Sequence, residues 1–238
     1  AGEAFQFDWS TEEIELGGVL TRVKAAHFHL CYSRMPLIQV YPNEQLEMLM
    51  LAHDTCFEWL GGVCRRGIYD NMKTAVEKVW LGKDRKWNRR FLELASHHLF
   101  EPTACTPGAG WEKGQVERQV QTSRCQFFTP LVKVKTFEEL NERLKSDCLK
   151  YAQKALHPEY KDQTVFEVYQ KEKDHLLSYR SAFGGYKSVA CQVHACSLVY
   201  YETNAYSVDC GFVRQAVWLH IYPKRVVIWH REQMIGEH

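Results

Sequence analysis

Apolar and polar side chains alternate at the start of the chain. In residues 5–9 the two phenylalanines fall on one face and Asp8 falls on the other, which is the period of a half-buried strand. Apolar stretches follow at residues 19–23 and 28–41 after short connections. Three segments at this spacing predict an antiparallel meander of strands.

The spacing of apolar side chains then changes to that of an amphipathic helix. Apolar side chains in residues 46–60 recur three and four positions apart, and the two glycines at 61–62 are typical of a helix end. The next predicted elements are a strand at 66–69, a strand or loop at 76–81, a helix at 88–98, a strand at 100–106 and a helix at 111–127. This alternation predicts an α/β domain with a mixed sheet over residues 1–130.

Two further regions follow this domain. Thr136 and Glu139 have the spacing of a capping box, which predicts the start of a helix within a helical linker at residues 131–185. From Ser188 the period returns to two, and several short strands are separated by turn residues. This pattern predicts a small β-barrel or sheet domain at residues 186–238, and we expect the β-barrel.

The composition is that of a globular protein with a sizeable core. Of the 238 residues, 45% are hydrophobic, and no apolar run reaches the ~20 residues that a membrane span needs. The nine cysteines are odd in number and form no CxxC pair, which indicates reduced thiols and a cytoplasmic protein. The chain opens without an initiator methionine and stops just after a strand-like stretch, so we expect it to be part of a longer protein.

The formal net charge of +1 excludes only a nucleic-acid binder that is held by bulk positive charge. The charges are unevenly distributed along the chain. Residues 1–60 hold nine acids and three Lys or Arg, whereas residues 61–93 hold nine Lys or Arg and four acids. The second region is therefore a candidate for contact with a phosphate backbone.

Three acidic residues stand where an α/β domain would bring them together. Asp8 lies on the polar face of the first strand, Asp70 ends a strand, and Glu117 lies on the helix after the glycine-rich loop at 107–110. Carboxylates of this kind bind Mg²⁺, and two such ions about 4 Å apart can hold both oxygens of a phosphodiester exchange. Because the chain has 29 acids, spacing alone leaves solvated surface charges as the alternative.

The sequence around these acids is more specific than their spacing. The segments are QFDW at 6–9, YDNMKTAV at 69–76 and PGAGWEKGQVER at 107–118. They resemble the three catalytic blocks of DDE transposases and retroviral integrases, and above all those of the IstA-type transposases of bacterial insertion sequences. The resemblance covers nearly the whole chain, including YSV at 206–208, which is similar to a strand of the small β-barrel in those proteins.

The resemblance implies a ribonuclease-H-like fold, with a five-stranded mixed sheet whose first three strands are antiparallel. It also implies that Asp8, Asp70 and Glu117 are the catalytic residues and bind two Mg²⁺ or Mn²⁺ ions, with Asp8 bridging both. Glu112 is the rival third ligand, although we prefer to place it at the helix start. The candidate DNA contacts beside these acids are Lys73, Lys113 and Arg118, for which a solvated surface position is the alternative.

The activity implied by the resemblance is DNA transposition. Such a transposase cuts the 3′ ends of transposon DNA and transfers the cut strands into target DNA. The implied partners are these DNAs, further copies of the chain and an IstB-like ATPase helper. Full-length relatives begin with helix-turn-helix domains, which this sequence lacks. Two alternatives are a non-catalytic DNA-binding or assembly module of a decayed element, and a nuclease of the same fold that cuts without joining.

Overall fold

The computed structural model describes residues 1–69, 76–79, 85–104 and 126–238. These residues divide into two compact units, 1–183 and 184–238. No helix within these ranges is long and apolar enough to cross a membrane.

The first unit combines strands and helices. Its strands are β1 (Ala4–Leu16), β2 (Val19–Leu30), β3 (Pro36–Tyr41), β4 (Gly62–Val63), β5 (Arg66–Tyr69), β6 (Val76–Val79), β7 (Arg85–Trp87), β8 (Glu101–Ala104), β9 (Lys133–Val134) and β10 (Leu177–Ser178). Its helices are α1 (Leu46–Leu60), α2 (Arg89–His98), α3 (Phe137–Lys154) and α4 (Val165–Lys173).

The central sheet has the strand order β3-β2-β1-β5-β8, and the short strand β9 pairs with the far end of β1. The pairs β1–β2 and β2–β3 are antiparallel, whereas β1–β5 and β5–β8 are parallel. This confirms the predicted mixed sheet with its antiparallel opening meander. The whole has the mixed α/β architecture expected from alternating strands and helices.

The three strands of the predicted meander have different bounds in the structure, and β2, predicted at residues 19–23, runs on to Leu30. β1 runs on to Leu16 because Ser10 and Glu12 continue the alternation, although both are polar and buried. The stretch predicted at 28–41 is interrupted by a turn, where Arg34 adopts a left-handed φ of 65°. Polar residues on a buried face and a turn inside an apolar stretch both hide the true strand limits from a periodicity argument.

A separate core covers each face of this sheet. Phe5 and Phe7 of β1 belong to a cluster that includes side chains of α1, α2 and α4. Ile14, on the opposite face of the same strand, belongs to a second cluster with Leu140 and Leu144 of α3. Residues 131–185, for which the sequence predicts a helical linker, therefore contribute helices that pack within the first unit.

Helix α3 also protects the edge of the sheet. The side-chain amide of Asn141 accepts a hydrogen bond from Val40 N (2.7 Å) and donates one to Val40 O (3.0 Å). The amide thus bonds the backbone of edge strand β3 as a further strand would. Open strand edges promote association between chains, so this contact both satisfies the backbone and blocks the edge.

The second unit is a small β structure. Its strands are β11 (Lys187–Gln192), β12 (Leu198–Tyr201), β13 (Asn204–Ser207), β14 (Ala216–Ile221), β15 (Val226–His230) and β16 (Gln233–Glu237). β11, β14, β15 and β16 form one sheet in that order, and β12 pairs with β13 in a hairpin. No strand pairing within residues 184–238 joins β11 to β16, so the predicted β-barrel is not confirmed as a closed barrel.

Replacing Asn141 tests the edge contact. We expect Asn141→Leu to lower the free energy of unfolding by about 1–3 kcal/mol, because the Val40 N–H and carbonyl lose their partners while partly buried. Urea denaturation measures this change. Glu142→Leu, at an exposed position on the same helix, is the control and should stay within ~0.5 kcal/mol of the parent chain. Equal stabilities of the two variants would contradict the role given to Asn141.

Candidate active site

Asp8 lies half-buried in β1 at the point where the pairing with β5 ends. Its neighbour Phe7 is the last β1 residue in that parallel register and pairs with Tyr69. On the other side of β1, Asp8 pairs with His27 of β2. The carboxylate that the sequence singled out therefore stands where β1 continues beyond the end of the neighbouring strand.

A backbone hydrogen bond orients the Asp8 carboxylate. Alternate backbone groups of a strand face the same neighbour, and Glu3 O faces β5 because it accepts from Arg66 N (2.9 Å). Trp9 N–H lies six positions on and faces the same side, beyond the last pair of that ladder. Asp8 Oδ1 accepts this N–H at 2.8 Å, which turns one carboxylate oxygen toward the side of β1 that pairs with β5.

The parallel strands β5 and β8 end at the same edge as Asp8. Phe7 is in register with Tyr69, and Tyr69 is in register with Ala104. The carboxyl ends of parallel strands in an open α/β sheet are where ligands generally bind. The chain leaves this edge twice, at residues 70–75 and 105–125. Both segments lie outside the described residues.

Most of the predicted site residues fall in those two segments. Asp8 is the one candidate ligand within the described residues. The others, which lie outside them, are Asp70, Lys73, Glu112, Lys113, Glu117 and Arg118.

The chain returns on the face of the sheet that carries Asp8. Phe127 and Phe128 are buried in the cluster of Ile14 and Ala25. Ile14 is six positions from Asp8 in an unbroken strand and so shares its face. The segment that contains Glu117 therefore begins at the carboxyl end of β8 and ends against the Asp8 face.

A buried histidine fixes the end of β5. His53 of α1 is fully buried, with Nδ1 at 2.8 Å from Leu49 O and Nε2 at 2.8 Å from Tyr69 Oη. Because a carbonyl only accepts, Nδ1–H donates to Leu49 and Nε2 accepts the Tyr69 hydroxyl. Burial lowers the pKa of His53 to about 3, so the ring is neutral. The sequence places His53 on the apolar stripe of its helix but gives no sign of this contact.

A second polar group lies beside Asp8 and was missed by the sequence reasoning. Ser10 Oγ is 2.7 Å from Glu12 Oε1 and 2.8 Å from His27 Nε2, and all three side chains are buried. Ser10 and Glu12 share the Asp8 face because strand side chains alternate. Their alternation with apolar neighbours was the only available signal. Among the described residues, no group of three or more His, Cys, Asp or Glu is arranged to hold a metal ion.

Comparison with known proteins shows relatives along the whole chain. Residues 177–238 match the family described as Mu transposase, C-terminal domain. The chain is 40% identical over 237 residues to a transposase of Aminobacter aminovorans. It is 39% identical over 237 residues to the transposase for insertion sequences IS1326/IS1353 of Pseudomonas aeruginosa. Both matches cover 100% of this chain and 46% of the relative, so the chain spans about half the length of these curated relatives.

Solved structures show a related fold. The simian T-cell lymphotropic virus intasome in complex with PP2A regulatory subunit B56 gamma aligns with a TM-score of 0.55 at 10% identity, covering 92% of this chain and 72% of that one. The catalytic core domain of BIV integrase aligns with a TM-score of 0.50 at 14% identity, covering 74% of this chain and 98% of that one. The chain thus has the mixed, ribonuclease-H-like α/β fold of retroviral integrase catalytic cores.

The buried His53 makes stability depend on pH. In the folded chain its pKa lies below the ordinary value of 6.5. Below pH 6.5, His53 therefore binds a proton in the unfolded chain but not in the folded chain. The free energy of unfolding therefore decreases as the pH falls from 6.5 toward 3. The contribution of His53 to this loss is about 2 kcal/mol at pH 5. Urea denaturation at pH 7 and pH 5 should show a smaller loss for His53→Gln than for the parent chain.

The exposed His175 provides the matched control. His175→Gln should lose as much free energy of unfolding between pH 7 and pH 5 as the parent chain does. An equal loss on acidification in the parent chain and in His53→Gln would show that His53 is not held neutral by burial.

Proposed function

We propose that the chain carries the catalytic region of an IstA-type transposase, which cuts the 3′ ends of transposon DNA and joins them to target DNA. One observation carries the proposal. Asp8 lies at the sheet edge from which the chain continues into the Asp70 block and the Glu117 block. The similarity to insertion-sequence transposases along the whole chain supports the same activity.

In this proposal Asp8, Asp70 and Glu117 hold two Mg²⁺ or Mn²⁺ ions. Tyr69, one covalent step of about 3.8 Å between α-carbons from Asp70, is in register with the residue before Asp8. A carboxylate has several lone pairs, so the hydrogen bond from Trp9 N–H is compatible with metal binding at Asp8. The hard carboxylate oxygens suit these cations, which when bound activate water and polarise the phosphodiester.

The assignment of the third ligand rests on the sequence. Glu117 stands in the KGQVE run that resembles the family block, whereas Glu112 is five positions earlier. Five positions correspond to about 500° of helical rotation, so on the helix predicted at 111–127 the two acids would face different directions. We propose Glu117 as the ligand and Glu112 as an acid at the helix start, where the macrodipole favours it.

The remaining protein groups hold DNA and keep the carboxylates in place. We propose that Lys73, Lys113 and Arg118 contact backbone phosphates beside the scissile bond. The reaction exchanges phosphodiester bonds without a covalent enzyme intermediate. In cleavage, a water oxygen bonds to phosphorus as the strand's P–O3′ bond breaks, the water loses a proton, and the leaving O3′ takes one, which produces a 3′-hydroxyl and a 5′-phosphate. In joining, the oxygen of this 3′-hydroxyl bonds to a target phosphorus as the target P–O3′ bond breaks. The attacking hydroxyl loses a proton and the leaving target O3′ takes one.

We propose a division of labour along the chain. Residues 1–130 perform the chemistry, residues 131–185 support them, and residues 186–238 form a small barrel-like domain that contacts DNA or other subunits. Joining two transposon ends in one event requires at least two active sites, so we propose a homo-multimer assisted by an IstB-like ATPase.

The assignment predicts which single substitutions abolish activity. We expect Asp8→Asn, Asp70→Asn and Glu117→Gln each to lower the rate of strand exchange at least 100-fold, because each removes a charged metal ligand. A branched DNA that mimics the joined product is a suitable substrate. Strand transfer exchanges one phosphodiester for another, so its reversal requires no net change in bonds. Resolution of the branch is read on a denaturing gel with Mg²⁺ or Mn²⁺ present.

The control is Glu13→Gln, an exposed acid on the opposite face of β1 from Asp8, which should leave the rate unchanged. Full activity of Glu117→Gln together with loss of activity in Glu112→Gln would show that Glu112, and not Glu117, is the third ligand. Activity that persists in chelator would overturn the metal mechanism. Cutting of linear end DNA without branch resolution would favour a nuclease that does not join.

A further inference from the structure

The group formed by Ser10, Glu12 and His27 stands directly beside Asp8. The three side chains retain exposures of 8%, 4% and 9%, so they are polar groups removed from water. Further along the same face, Ile14 shows that an apolar side chain is accommodated there. Burying a hydrogen-bonded polar group gives little net stability over an apolar one of similar shape. A need for stability alone does not account for the group.

The hydrogen bonds run in one direction. A carboxylate only accepts, so the Ser10 hydroxyl donates to Glu12 Oε1, and Ser10 Oγ accepts from His27 Nε2–H. Glu12 thereby orients the hydroxyl, and the hydroxyl orients the imidazole ring of His27. The plane and the tautomer of this ring are set from a neighbouring strand.

His27 is the cross-strand partner of Asp8. Side chains at such paired positions share one face, with β-carbons about 4.5–5.5 Å apart. The side chains of His27 and Asp8 therefore occupy neighbouring positions on one face of the sheet, while the Trp9 N–H holds the carboxylate from the strand edge.

We propose that His27, oriented by Ser10 and Glu12, is a positioning residue that holds the Asp8 carboxylate ready for a divalent cation. The proposal rests on the proposed function, since it takes Asp8 to be a metal ligand. Groups that orient metal ligands usually change metal affinity by about 10–100-fold when they are removed. Their effect is to reduce the freedom that the ligand would otherwise lose on binding the ion.

Manganese affinity of the 238-residue chain tests this proposal without DNA or turnover. We expect Ser10→Ala to weaken Mn²⁺ binding about 10-fold by titration calorimetry, measured well below the midpoint of thermal unfolding. Ser10→Thr keeps the hydroxyl and should restore most of the affinity. A lower midpoint for Ser10→Ala with unchanged Mn²⁺ affinity would overturn the proposal and leave a purely structural role.

Glu12 provides a second, independent variant with a matched control one position away. Glu12→Leu should weaken Mn²⁺ binding as Ser10→Ala does, whereas Glu12→Gln keeps an oxygen that accepts from Ser10 and should bind nearly as the parent. Glu13→Leu, on the exposed face of the same strand, should bind as the parent. Equal affinities for Glu12→Leu and Glu13→Leu would overturn the proposal.

Asp8→Asn separates this proposal from the one on which it rests. Loss of Mn²⁺ binding in Asp8→Asn with no loss in Ser10→Ala would overturn the role of His27 alone. Mn²⁺ binding that is absent from the parent chain, or that Asp8→Asn leaves unchanged, would overturn the metal site and the positioning role together.

Discussion

The parallel pairing of β1 with β5 is the constraint on which the rest of the structure depends. The register places Phe7 beside Tyr69, so the last paired residues come directly before two of the three acids. A shift of one residue would turn the side chains of β1 to the opposite faces of the sheet. Phe5 and Phe7 would then leave their core, and Asp8 would leave the face to which the chain returns at Phe127.

The two faces of the sheet differ in what they bury. One face buries rings against α1, and the neutral His53 binds the Tyr69 hydroxyl there, which holds the end of β5. The other face packs against α3 but includes the polar group of Ser10, Glu12 and His27 near Asp8. A hydrogen-bonded polar group next to a candidate ligand is the feature expected where orientation matters more than stability.

Periodicity predicted the elements that have one clearly apolar face. The opening meander, the helix at 46–60 and the alternation that follows were all visible, because burial on one face imposes a period on the side chains. The limits of β1 were not visible, since buried Ser10 and Glu12 read as solvent-exposed positions. Nor was helix α4 delimited, although Thr164 and Glu167 form its capping box. A small β-barrel was expected at 186–238, but strand alternation defines the faces of a sheet and not which strand edges pair.

The sequence by itself determined the types of the elements, the candidate acids and the similarity to insertion-sequence transposases. These depend on residue identity and on spacing along the chain, which a linear sequence contains in full. Only the tertiary structure decided that β1 lies between β2 and β5, that Tyr69 meets His53, and that Ser10 connects Glu12 to His27. Such contacts join residues distant in sequence, and several pairings satisfy the same hydrophobic pattern until packing selects one of them.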